Sequence, residues 1–293
     1  MSILSFSFNL LQSFDYGLSD LIKILIYALV EGISEWLPIS STGHLILLNE
    51  VLPLNFEAKF YDLFLVIIQL AAILAVVWFY WEKIWPFRRN RRSGQVMLDN
   101  SVLKLWAKLI IASIPAGIIG VLFDDWFTAK FYNPIVIAIM LILVGFALWW
   151  IEGPRKAGQG ISASAEISYL SAALIGCFQV VAAVFPGTSR SAACIIGALL
   201  LGLSRPLAAE FSFLMAIPAM AGASLLKILK LKYLPGFGEL LLLAIACLGS
   251  FIISLLVIRE LLDYVKKRSF KPFAYYRIGF GSILLLLYAV GVV

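Results

Sequence analysis

The stretch EGISEWLPISSTGH, residues 31–44, carries Glu31 and Glu35, then Ser40, Ser41, Thr42 and His44. The two glutamates are four apart, so on a helix they share one face. Two carboxylates side by side in a poor dielectric need a cation or a proton between them. Hard divalent ions take carboxylate oxygens, so Glu31 and Glu35 are candidate ligands for Mg²⁺ or Ca²⁺ bridged to a phosphate. A structural ion pair is the plainer alternative. The three hydroxyl residues lie between Pro38 and Gly43. Hydroxyls at such a break cap the next helix and hold phosphate oxygens, and the helix N-terminus adds N–H donors and a favourable dipole. His44 is the only histidine. A lone histidine is often a satisfied interior group, but an imidazole at a polar break also suits general acid–base work near neutral pH.

A second stretch, PGTSRS at 186–191, offers Thr188, Ser189, Arg190 and Ser191. A guanidinium flanked by hydroxyls on a Pro-Gly turn suits phosphate or carboxylate. Arg190 can cradle an anion or simply neutralise Glu31 or Glu35.

These polar residues sit in an apolar chain. It is 62% hydrophobic and 14% charged, with mean hydropathy +0.98. A soluble domain has about a quarter of its residues charged, so the class is an all-α polytopic membrane protein. Continuous apolar runs such as 63–81 and 134–151 exclude a barrel, whose segments alternate. The net charge of +6 does not point to nucleic acid, because the basic residues gather in loops between apolar runs. Cys177, Cys194 and Cys247 are far apart inside apolar runs and read as neither disulfides nor metal ligands.

Six runs are long enough to span: about 60–81, 102–123, 133–151, 207–229, 239–258 and 273–292. Four shorter ones form two broken pairs, 21–37 with 45–54 and 167–185 with 192–203, which read as re-entrant helical hairpins. The order hairpin, three spans, hairpin, three spans is an internal repeat, about 20–151 and about 167–292, within one integral-membrane domain covering 1–293. A slide of 148 residues places Pro38 on Pro186, Ser41 on Ser189 and Glu31 on Gln179. Three spans change the side of the membrane, so the second repeat is inverted, and such repeats put their site where broken helices meet. Thirteen Lys and Arg fall in the loops on one side and five on the other. The richer side should be cytoplasmic, with both termini outside.

Other features read as structural. Arg205 and Glu210 pair with each other. Gln69 hydrogen-bonds within the bundle or serves the site. FSFLMAIPAM packs or meets lipid. Arg277, near a helix end, snorkels to water. The RRNRR run at 88–92 is a topology signal touching anionic lipid.

EGISEWLPISSTGH resembles the EGxxEFLPxSSTGH signature of bacterial undecaprenyl-diphosphate phosphatases of the bacitracin-resistance type. FPGTSRSA and the following GLSRPLAAEFSFLMAIP resemble that family's second motif, PGxSRSG, and its continuation. The resemblance runs from about 20 to 290. Trp36 stands where Phe is common and Ala192 where Gly is usual. The resemblance implies hydrolysis of the terminal phosphate of a C55 polyprenyl diphosphate in the bacterial inner membrane. That reaction recycles the carrier lipid for cell-wall synthesis and confers bacitracin resistance. It implies a divalent cation and a site open to the outer face.

On this reading Glu35, His44, Arg190 and Ser41 are catalytic. Ser40, Thr42, Thr188, Ser189 and Ser191 bind substrate, and Glu31 and Glu35 hold the metal. The nucleophile is water, Ser41 or His44, with His44 favoured for acid–base or nucleophilic work. A secondary transporter or lipid-carrier flippase is the alternative, since inverted repeats with broken helices suit transport. The expected partners are the lipid substrate and the membrane. A homodimer is left open.

Overall fold

Prolines and short polar residues punctuate the apolar sequence and mark many helix ends, although Pro115 and Pro218 lie inside long helices. The computed structural model describes residues 17–89, 95–153, 159–231 and 233–291. Helix α1, Leu18–Ser34, stops four residues before Pro38, which disfavours helix in the residue preceding it. Helix α2, Ser41–Val51, restarts the chain. Then come α3, Ala58–Phe79, and a single helical turn, α4, Trp81–Ile84. Helix α5, Asn100–Phe131, is capped by Asp99, whose side chain accepts from Ser101 N. Helix α6, Pro134–Glu152, has Asn133 as cap and proline at its start, the arrangement proline tolerates best. A second pair follows, α7, Tyr169–Val184, and α8, Arg190–Leu200, broken at Pro186. The chain ends with α9, Arg205–Leu231, α10, Phe237–Lys267, and α11, Lys271–Ala289.

The six long runs are therefore α3, α5, α6, α9, α10 and α11, each long and apolar enough to cross a membrane. This is a multi-pass membrane protein. Helices α5 and α10 extend beyond the expected 102–123 and 239–258. In α10 the extra turns carry RELLDYVKK, good helix formers whose charges point to water. Among the described residues, a small ribbon and an isolated bridge between Ile161 and Leu203 depart from all-α. Strands β1, Phe87–Arg89, and β2, Val96–Leu98, form an antiparallel ribbon pairing Phe87 with Leu98. Of the RRNRR run, 90–92 lie outside the described residues, as do Arg155, Lys156 and residues 1–16.

Helix α8 sits at the centre, with Ser191 through Leu199 all buried, wrapped by α6, α7 and α9. Helix α2 lies at an edge and buries only Gly43 and Leu45. The first helix of each pair packs against a long helix of the other half, α1 on α10 and α7 on α5. Both crossings are close. A Cβ on Gly32 would lie 2.8 Å from Ile253 Cβ, and one on Gly176 would overlap Ala112 O. Helices α6 and α11 pack on each other, as do α3 and α9.

Arg205 and Glu210 do not pair. They are five apart on α9, which puts them on different faces. Arg205 makes a buried two-pronged ion pair with Glu152, at 2.6 Å for Nη2–Oε2, while Glu210 pairs with Lys83. Glu152 also accepts from Phe270 N, so the pair locks α6, α9 and the start of α11 together.

Candidate active site

The two breaks meet. Each ends in a serine held at positive φ, Ser40 at 77° and Ser189 at 69°. Such a backbone costs a non-glycine residue about 1–3 kcal/mol and persists only when its surroundings enforce it. Each serine caps the helix it precedes: Ser40 Oγ accepts from Gly43 N and Ser189 Oγ from Ala192 N. The caps therefore correspond with an offset of 149, one more than the slide of 148 that matches the prolines. The extra residue is Gly187, at φ 87°. A side chain there would also meet Ile137 O at 2.5 Å, so glycine is required twice over.

With the caps aligned, Ser41 and Arg190 hold the same first position on two 11-residue helices. Both donate to Glu35. Ser41 Oγ lies 2.8 Å from Glu35 Oε2, and Arg190 Nη2 lies 3.0 Å from Oε1. Arg190 Nη1 donates to Ser212 O at 2.9 Å, and the guanidinium stands 5.8 Å from the centre of the Trp36 ring, a cation–π distance. Trp36 is itself buried edge-on against Phe213.

Three buried polar atoms gather here without a hydrogen-bond partner in the protein: Glu31 Oε1, Arg190 Nε and Trp36 Nε1. Buried polar groups are rarely left so. Glu31 is 1% exposed and one helical turn before Glu35. Its free carboxylate oxygen beside a second carboxylate fits a hard divalent cation completed by phosphate oxygens and water, the usual Mg²⁺ environment. Among the described residues there is no cluster of three or more His, Cys, Asp or Glu, so such an ion would rest on this carboxylate pair alone.

A cavity of about 540 Å³ opens beside these groups. Glu35, Ser40, Ser41, Thr42, Ser189 and Arg190 line it. Glu31, His44, Thr188 and Ser191 do not line it. Thr188 is 1% exposed and donates back to Phe185 O at 2.7 Å. Ser191 donates to Leu37 O at 3.2 Å and so ties the second break to the first. His44 has both ring nitrogens engaged, Nδ1 with Ser40 O at 2.6 Å and Nε2 with Tyr276 Oη at 2.7 Å. A carbonyl only accepts, so Nδ1 carries hydrogen, and in the neutral ring Nε2 accepts from the tyrosine. The ring is also stacked on Phe280 at 4.4 Å.

Arg277 does not snorkel. It is wholly buried and donates to five main-chain carbonyls. Nη1 reaches Pro38 O at 3.1 Å in the first break, and Nη2 reaches Gly187 O at 2.8 Å and Thr188 O at 2.9 Å in the second. Leu141 O and Met140 O on α6 complete the set. One side chain thus holds both breaks against α6 and satisfies carbonyls that a broken helix exposes.

The cavity wall also contains Gln69 and Gln179, amides in otherwise apolar runs, and Ser113. Gln69 was legible as either structural or functional, and Gln179 only as the repeat partner of Glu31. Farther out, Gly117, Gly120 and Gly222 face open space, and Lys227 and Lys230 stand at the far end of α9.

Six apolar spans and two broken helices, whose polar residues share one cavity wall, define a multi-pass membrane protein. The family described as Bacitracin resistance protein BacA matches residues 24–283. A protein of Desulfitobacterium hafniense named undecaprenyl-diphosphatase is 47% identical over 93% of this chain and 98% of its own length. One of the same name from Enterococcus faecalis is 46% identical over 92% and 98%. Undecaprenyl-diphosphatase 1 of Clostridium acetobutylicum is 47% identical over the same shares. The chain belongs to the BacA family.

Proposed function

We propose that this protein hydrolyses the terminal phosphate of undecaprenyl diphosphate, giving undecaprenyl phosphate and inorganic phosphate, the activity its relatives are named for. In a bacterial inner membrane this returns the carrier lipid to cell-wall synthesis. The observation that carries the mechanism is the Ser41–Glu35–Arg190 chain on the cavity wall. Nucleophile and base are within hydrogen-bond reach, and a third group orients the base.

Ser41 Oγ attacks the terminal phosphorus and gives its proton to Glu35. The bond from phosphorus to the bridging oxygen breaks, and the polyprenyl phosphate leaves. Water then attacks the phosphoserine, and Ser41 recovers a proton as phosphate departs. Arg190, Ser189 and Thr42 hold phosphate oxygens, with Ser40 N-capping α2 beneath them. Thr188 and Ser191 shape the second break, and His44 fixes the Ser40 carbonyl. Mg²⁺ or Ca²⁺ on Glu31 and Glu35 would offset negative charge on the phosphoryl group. A transporter reading is not favoured, because the relatives are named as phosphatases and a Ser–Glu dyad has no task in transport.

The pairs α1/α2 and α7/α8 are re-entrant hairpins of an inverted repeat. Supporting this, exchanging the two halves turns the α1–α10 contact into α7–α5 and maps α3–α9 and α6–α11 onto themselves. The site faces outward and both termini lie outside. The cavity extends toward Lys227 and Lys230, whose loop belongs to the side with five basic residues. The wall is complete within one chain, so a homodimer is not required for the chemistry.

The test is phosphate release from a polyprenyl diphosphate by the purified chain in detergent, with EDTA, Mg²⁺ or Ca²⁺. Release that needs the metal and disappears in folded Glu35→Gln supports the reading. No release from folded wild type under any metal overturns it.

A further inference from the structure

A second cavity of about 540 Å³ lies at the other end of the molecule. Glu210 on its wall and Lys230 on the wall of the first are twenty residues apart on α9. That is about 30 Å of helix, the thickness of a bilayer's hydrocarbon core. The two cavities therefore belong to opposite membrane surfaces, and the second serves no step of the hydrolysis.

Its wall combines charge with apolar surface. Lys83, Arg259 and Lys266 face Glu210 and Asp263. Lys83 is paired with Glu210, and Lys266 with Asp263. Arg259 also attracts Asp263, and with three basic and two acidic side chains the lining is net positive by one. Tyr80, Leu207 and Leu262 give the wall its apolar part. The opposite wall, 162–165, is fixed by Lys108, which donates to Ser164 O and Ala165 O. Beside the cavity, Trp78, Trp81 and Trp85 are exposed at the end of α3 and through α4, as aromatic residues are at a membrane surface.

We propose that this cavity binds the phosphodiester headgroup of an anionic phospholipid. The net charge of +1 on the lining matches a headgroup of net charge −1. The apolar rim accepts the start of the acyl chains, and the position along α9 puts the phosphate at headgroup depth. The occupant is the lipid of the leaflet opposite the active site.

The test is native mass spectrometry of the full chain in detergent with phosphatidylglycerol, phosphatidylcholine or inorganic phosphate. Thermal unfolding is followed in parallel. Phosphatidylglycerol should bind in preference to phosphatidylcholine and raise the unfolding temperature. Arg259→Gln and Lys266→Gln should each lower that preference about fivefold, while Arg259→Lys keeps it. All three variants should retain phosphate release, which shows that they are folded. Equal binding of the two lipids, or a preference unchanged in Arg259→Gln/Lys266→Gln, overturns the proposal. Equal protection by inorganic phosphate also overturns it, by showing an anion site that does not read lipid.

Discussion

Arg190 and Ser41 begin two helices of equal length and converge from opposite sides on the carboxylate of Glu35, at 3.0 and 2.8 Å. The guanidinium fixes one oxygen and leaves the other to the hydroxyl. The guanidinium and the hydroxyl are therefore positioned by the same two helix starts that close the breaks.

Glu35→Gln keeps the size of the side chain and removes both its charge and its capacity to take a proton. Phosphate release should fall by about 10²–10⁴-fold, the contribution of a positioned base. Arg190→Lys keeps the charge but loses the planar fork that spans Glu35 and Ser212 O, so it should not restore activity. Steady-state phosphate release checks both.

Ser41→Ala and His44→Ala separate two mechanisms. If Ser41 attacks, its alanine variant should lose turnover by 10³-fold or more (about 4 kcal/mol) with little change in KM. His44→Ala removes a brace for the Ser40 cap and should cost only about tenfold, a loss of order 1 kcal/mol. Tyr276→Phe should resemble it. A larger loss for His44→Ala than for Ser41→Ala would return the imidazole to the chemistry.

Arg277→Met leaves carbonyls of both breaks unpaired inside the protein. Each unpaired group costs about 1–3 kcal/mol, so the unfolding midpoint should fall sharply and activity with it. A snorkelling arginine would tolerate the change. Thermal unfolding in detergent decides between them.

Gly187→Ala adds a methyl at φ 87° and 2.5 Å from Ile137 O. Strain alone costs about 1–3 kcal/mol, and the contact adds to it. The variant should be less stable and less active, whereas Gly120→Ala, which meets nothing within 4 Å, should keep its stability.

The spans and the breaks were legible because each has a side-chain signature. Apolar runs of membrane length and Pro/Gly/Ser punctuation mark themselves. Glu35, Ser41 and Arg190 stood out as polar residues where lipid was expected. Arg277 did not, because its partners are main-chain carbonyls, which leave no trace in a sequence. The clamp on His44 was not legible, because Tyr276 and Phe280 lie more than 230 residues away. The register was read one residue short because the prolines align before the inserted Gly187 and the caps after it. The partners of Arg205 and Glu210 were misread because nearness along the chain stood in for direction around a helix.

The cavity beside Glu35 and Ser41, about 540 Å³, is the size of a pocket for a drug-sized molecule. On the proposed function it would take a diphosphate and the first part of a polyprenyl chain, while the remainder stays dissolved in the bilayer. Substrate then arrives by lateral diffusion, and what the protein senses is a mole fraction within the lipid or micelle phase, not a molarity. Below saturation, doubling the detergent at constant total substrate should halve the rate. An affinity for this protein has meaning only when the amount of amphiphile is stated with it.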